Sequence, residues 1–273
     1  MFGNLTHYFA LAATAETDSG GQTQHELPNF LTILYSEIIG TTFGEFIHKY
    51  EGLIFSLGTA LFLVVIARLV SRNMTLIPGR FQNFIEMIVE GLAEFIVGVI
   101  GPRGKRFVPF LGTLFLYIYF MNISGLVPFL KSPTAGINQT IALALCVFVY
   151  VQYTGFRELG FIRWLDHMAG EPRTPIAWGL VILILPIHLI GELAKPMSLA
   201  LRLFGNVTGE DVLILIFVSL GVMVMSFSNL PIGIPFQVPF VFLALLTSLI
   251  QALVFMLLST IYFSMMLPHE EEH

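Results

Sequence analysis

Arg202 stands within KPMSLALRLFGNVTGED, residues 195 to 211, with no Asp or Glu among the seven positions on either side. Its guanidinium stays protonated at any physiological pH. At the middle of a membrane helix such a charge costs on the order of 2.5 to 3.5 kcal/mol on insertion scales. Snorkelling to an interface relieves that cost, but the sequence on both sides is apolar. Charges kept at such depth face a bundle interior or a water-filled cavity and mark an ion route. At 100° per residue, His188, Lys195, Ser198, Gly205, Asn206 and Gly209 fall within roughly 60° of Arg202. That face is polar and small, and small residues let another helix approach closely in a membrane. The partner this pattern asks for is an acid on another chain.

Other groups in the same region can handle protons. His188 and Glu192 lie one turn apart, and a histidine loads and releases protons near neutral pH. The plainer account of that pair is a structural hydrogen bond. Lys195 and Asp211 read equally well as side chains that snorkel to an interface. On the last apolar segment Thr247, Ser248, Gln251 and Tyr262 share one stripe with Ala244 and Phe255. Hydroxyls there can be satisfied by neighbouring helices, whereas the Gln251 amide needs several partners.

The elements that must position these groups follow from composition. Of 273 residues, 56% are hydrophobic and 11% charged, with a mean hydropathy of +0.83. Soluble domains carry about 25% charged residues, and several runs here exceed the roughly 18 apolar residues that mark a membrane helix. The expected fold is an all-α polytopic membrane protein. The net charge of −5 comes largely from the tails, and no basic block suits nucleic acid. The single cysteine, Cys146, excludes an intrachain disulfide.

A first span near 52 to 70 is closed by Arg68 and Arg72, and further bases follow at Arg80, Arg103, Lys105 and Arg106. Between them Glu86, Glu90 and Glu94 recur every four residues, which predicts an amphipathic surface helix over about 81–101. The positive-inside rule makes that side cytoplasmic. A second span over about 108–130 leads out to KSPTAGINQ. A third, about 138–156, returns to a loop bearing Arg157, Arg163 and Arg173. From Ile176 the chain stays apolar for some fifty residues, broken only by Pro186 and Pro196. As one helix it measures about 75 Å, against a hydrocarbon core of about 30 Å. It is therefore two spans or one long, tilted helix. The next segment, about 236–267, is also oversized at about 48 Å, which favours a tilted hairpin over about 176–267. The reading is five crossings plus the surface helix, N-terminus outside and C-terminus cytoplasmic.

Residues 1–50 form an extramembrane tail and lead-in, 51–267 a single membrane domain, and 268–273 an acidic tail. ALAATAE near the start resembles a cleavage site, but residues 1–15 lack the basic region of a signal peptide. The terminal HEEEH fits H-E-x-x-H without the packed helix and third ligand that a zinc site requires. No cofactor or metal is expected.

The residues KPMSLALRLFGN (195 to 206), QALVFMLLSTIYFSM (251 to 265) and MNISGLVPFL (121 to 130) closely resemble the a subunit of bacterial-type rotary F-type ATP synthases. The resemblance covers about residues 50 to 267. It implies a subunit of the Fo motor, not catalytic alone, in the bacterial inner membrane, with two offset proton half-channels against a rotating ring of c subunits. The b subunits of the peripheral stalk and membrane lipid are the other implied partners. The family's arginine, matched by Arg202, faces the ring carboxylate; its glutamine is matched by Gln251 and its two asparagines by Asn206 and Asn122. The acidic position after the arginine motif is either Glu210 or Asp211. Gly125 departs from members that carry an aspartate three residues after the earlier asparagine. The implied inlet runs past Glu192, His188, Asn122 and Glu210.

Other classes fit less well. A secondary transporter binding an anion at Arg202 should repeat the broken-helix pattern in its first half, and no counterpart to 188–211 is found there. A voltage sensor needs a row of arginines.

Overall fold

A computed structural model describes residues 50–72, 79–127, 130–168, 175–226 and 235–267. Nearly all of the N-terminal tail, with ALAATAE, and the acidic C-terminal tail, with HEEEH, lie outside the described residues. Within them the chain is helical and contains no strand.

Helix α1, Glu51–Arg72, opens with an acid and closes with a base, each charge opposing the helix-dipole end it adjoins. Leu53, Leu57, Leu61, Val64 and Leu69 are all more than half exposed on it. Such an apolar surface is tolerable only where lipid solvates it. Helix α2, Arg80–Ile100, matches the expected surface element and ends at Gly101, whose φ of 89° favours glycine. A 3₁₀ turn, Pro102–Arg106, leads into α3, Val108–Ser124. Helix α4 is Ile137–Met168, α5 Pro175–Ser226 and α6 Val238–Met265. Four of these, α1, α4, α5 and α6, have stretches long and apolar enough to cross a membrane, and α3 is a shorter apolar helix.

Three boundaries differ from the sequence reading. Helix α3 stops at Ser124 rather than running to 130. The Ser124 hydroxyl reaches the carbonyls of Met121 (2.7 Å) and Lys131 (3.2 Å), drawing the following loop back. Helix α4 runs on through the expected cytoplasmic loop to Met168, with a break at Gly160, where φ is 75° and ψ is 160°. The extension has its own anchorage. Trp164 stacks on Phe156 at 4.2 Å and donates to Gln152 at 3.1 Å, while Arg106 binds Glu158 at 2.6 Å. Finally, α5 is one helix of 52 residues, not two spans. Its length is about 78 Å, and Pro186 and Pro196 lie inside it without ending it.

The contacts group into two compact units. The described residues of the first are drawn from 50–61, 119–136 and 205–250; those of the second from 62–118, 137–204 and 251–267. In the second, Phe107 stacks on Phe263 at 4.5 Å, and Tyr150 packs edge-on against both. Leu111, Ile118, Leu199, Leu203 and Phe255 are fully buried around that centre. In the first, Phe217 stacks on Phe240 at 3.8 Å, with Met121, Val207 and Ala244 buried. Lipid is as apolar as these side chains, so close packing rather than exclusion of water holds such contacts together.

Gly125 is one place where that packing admits no side chain. A Cβ there would lie 2.7 Å from Ser132 Cβ and 3.3 Å from the Ser132 backbone nitrogen. Gly125→Ala is expected to destabilise the protein by about 1–3 kcal/mol, read as a lower thermal midpoint in detergent. Gly58→Ala, whose Cβ would meet nothing within 4 Å, should leave the midpoint unchanged.

Candidate functional site

Helix α5 sorts its residues by face. Leu199, Ala200, Leu203 and Val207 are buried, and this turns Arg202 outward. Arg202 is exposed and makes no salt bridge with any described residue. Ser198, Gly205, Asn206 and Gly209 on its face are exposed as well. A Cβ at Gly205 or Gly209 would meet no atom of the chain within 4 Å. Internal packing therefore does not account for their small size.

In the second unit Gln251 is 4% exposed at the point where α6 enters that unit. Further along α6, Tyr262 is half-buried and lies in the field of both the Arg202 cation and the Glu192 carboxylate.

Glu192 is buried and well supplied with partners. Lys195, one turn on, forms an ion pair with its carboxylate. Gln152 Nε2 of α4 donates to the second oxygen at 3.3 Å. Gln152 Oε1 in turn accepts from the Trp164 indole, so the amide is held at both ends. His188 Nε2 stands 3.9 Å from Glu192 Oε1. The Lys195 ammonium also sits over the Tyr262 ring, 5.4 Å from its centre. Val147, Val151, Glu192, Lys195, Leu199 and Tyr262 are among the residues lining a cleft here. A buried carboxylate is tolerated when it is both paired and hydrogen-bonded, and Glu192 meets both conditions. The expected His188–Glu192 pair is thus part of a larger network. The Lys195 ammonium turns to Glu192 rather than simply reaching for an interface.

The first unit holds the remaining groups. The Glu210 carboxyl is hydrogen-bonded to Thr247 of α6, whose hydroxyl also lies 3.0 Å from the Leu243 carbonyl and 3.1 Å from that of Ala244. Asp211 is half-buried. Asn122, 4% exposed, accepts a hydrogen bond from Thr134 at 2.7 Å, and Thr134 in turn meets Ser132 at 2.7 Å. The hydroxyls of Thr208 and Ser248 are buried without a partner. Among the described residues no group of three His, Cys, Asp or Glu side chains is placed to hold a metal.

Sequence reading did not single out Gln152, Trp164, Ser132 or Thr134. Lys195 as partner to Glu192 was readable from the spacing of three. Gln152 and Trp164 lie 40 and 28 residues before Glu192 on another helix, and nothing in their spacing signals the contact.

Apolar helices that can cross a bilayer and carry ionisable groups inside them define an all-α, multi-pass membrane protein. The family model described as ATP synthase A chain matches residues 53–264, and the chain belongs to that family. Its relatives are named ATP synthase subunit a. The one from Protochlamydia amoebophila is 46% identical over 247 residues, covering 90% of this chain and 91% of the relative. The one from Solidesulfovibrio magneticus is 40% identical, covering 76% and 80%. The one from Desulfosudis oleivorans is 36% identical, covering 89% and 99%.

The Glu192 network makes its own prediction. Removing one member of a buried pair costs about 3–5 kcal/mol, whereas removing both can be nearly neutral. Lys195→Met should markedly lower the thermal midpoint of the purified protein. Adding Glu192→Gln should recover most of the loss, and a double-mutant cycle of melting curves measures the coupling.

Proposed function

We propose that this chain forms two laterally offset proton half-channels against a rotating ring of c subunits, and so couples proton flow to rotation for ATP synthesis. The observation that carries the reading is Arg202, exposed on a face of small residues and without a salt bridge to any described residue. A ring helix bearing a carboxylate supplies both what the charge lacks and what the small residues admit. Gln251 of α6 accompanies the arginine. The b subunits of the peripheral stalk hold the chain still while the ring turns, in a bacterial inner membrane with the C-terminus cytoplasmic.

A proton entering from outside neutralises a ring carboxylate, which then moves into lipid at low cost. After nearly a full turn the carboxyl reaches the second half-channel and releases its proton inside. Arg202 cannot relay that proton, because its pKa lies above 12. Its charge instead favours the ionised carboxylate as it passes. Each charge crossing 100 mV carries about 2.3 kcal/mol, and rotation delivers this energy as torque.

Helical rise divides the polar groups between the two paths. His188 and Glu192 precede Arg202 by about 21 and 15 Å along α5, whereas Glu210 and Asp211 follow it by about 12 and 14 Å. With the start of α5 cytoplasmic, His188 and Glu192 belong to the exit. Asn122, Asn206 and Glu210 or Asp211 belong to the inlet. This departs from the inlet the resemblance implied, which included His188 and Glu192. The ion pair of Glu192 with Lys195 favours the change, since a carboxylate held by an ammonium is a fixed charge rather than a first acceptor.

Arg202→Ala is expected to abolish both ATP-driven proton pumping and proton-driven ATP synthesis in membrane vesicles with the ring still assembled. Coupled pumping at the wild-type rate would overturn the reading.

A further inference from the structure

The turn between α3 and α4 contains a buried polar cluster that the motor reading leaves without a task. Thr134 is 0% exposed, Ser132 2% and Asn122 4%. Thr134 donates its hydroxyl proton to Asn122 Oδ1 at 2.7 Å. Ser132 therefore acts as donor in its own contacts, to Thr134 at 2.7 Å or to the Met121 carbonyl at 3.1 Å. The other end of the Asn122 amide, Nδ2, is buried and has no protein partner. Turning the amide over would exchange its oxygen and nitrogen but still leave one polar end unmet. An unmet buried donor costs about 1–3 kcal/mol.

The surroundings hold this arrangement in place. The 3₁₀ turn Pro133–Ala135 is closed by Ala135 N to Ser132 O and Gly136 N to Pro133 O, each at 3.1 Å. Lys131, next in the loop, pairs with Glu51 of α1 at 3.7 Å, and both side chains are largely buried. Gly125 leaves the space that Ser132 occupies. A loop that needed only to connect two helices would not require two buried hydroxyls aimed at one amide.

We propose that Ser132 and Thr134 are positioning residues that fix the Asn122 amide so that its remaining N–H group holds one water on the proton inlet. This rests on the motor reading above. A water that accepts from Asn122 turns its own hydrogens away from the amide, toward the next acceptor. It passes one proton on and takes another from the outer side, so one proton moves and Asn122, which does not titrate, ends unchanged.

The test uses the assembled enzyme in membrane vesicles. Thr134→Val keeps the shape but removes the donor, and Thr134→Ser restores it. Thr134→Val should slow proton-driven ATP synthesis about tenfold, the loss expected for one hydrogen bond to a buried group. It should also raise the H₂O/D₂O rate ratio, because proton entry becomes the slow step. Thr134→Ser should retain most of the rate and the wild-type ratio. A slow Thr134→Val enzyme with an unchanged isotope ratio, or a Thr134→Ser enzyme as impaired as Thr134→Val, overturns the proposal and leaves these residues only a structural part. Should Thr134→Val fail to assemble with the ring, Ser132→Ala carries the test: a raised isotope ratio supports the proposal, and an unchanged one overturns it. Arg202→Ala is run in parallel. If it pumps normally, the motor reading itself fails; if it is inactive while Thr134→Val matches wild type, only the present inference does.

Discussion

A guanidinium cannot be neutralised by giving up its proton, so inside hydrocarbon it must be matched from outside itself. Every organising feature of α5 bears on that constraint. Leu199 and Leu203 are buried on one side of the helix, and this rotates Arg202 away from the chain's own core. Glycines at 205 and 209 keep the same face low, although no atom of the chain presses on them. A protein that needed only to hide this charge had a simpler device available, an Asp or Glu one turn away. It uses that device ten residues earlier, where Lys195 meets Glu192.

The two sites on one helix therefore treat charge in opposite ways. Around Glu192, an ammonium, a glutamine and that glutamine's tryptophan saturate the carboxylate from within the chain. Such a group is fixed in place and electrically quiet. Around Arg202, no described residue provides a counter-charge in salt-bridge contact. A stator facing a moving partner needs both: internal networks that keep its helices rigid, and one charge left for each successive carboxylate that passes. Leaving that charge unpaired within the chain lowers stability, and the family's assembled state compensates for it.

Much of this was legible in the residues. Charge spacing and apolar run lengths located α1, α2, α5 and α6 to within a few positions, because lipid imposes a minimum helix length that composition alone reveals. The end of α3 was not legible. It depends on Ser124 hydrogen-bonding forward to the Lys131 carbonyl and on Ser132 packing against Gly125, contacts that no periodicity encodes. The extension of α4 was missed for a related reason. Arg157 and Arg163 suggested a loop, but charge reports only which side of the membrane a segment occupies. Trp164 docking on Phe156 and Gln152 is what keeps it helical. At the candidate site, residues on α5 itself were readable from angular position. Partners supplied by α4 or by the α3–α4 turn were not.

The unbroken course of α5 is what makes depth meaningful. Pro186 and Pro196 each remove a backbone donor, and in lipid a freed carbonyl must find another partner or pay several kcal/mol. The helix nevertheless continues through both. Continuity converts separation along the chain into distance along one axis, so that His188, Glu192, Arg202, Glu210 and Asp211 become a graduated series rather than a loose cluster. Two half-channels that must never join require such an ordering. If α5 had parted into two spans, the groups before and after Arg202 could have come level, and one charge between them would no longer divide two paths. The lone arginine separates the routes because a single stiff helix keeps the other ionisable groups well above or below it.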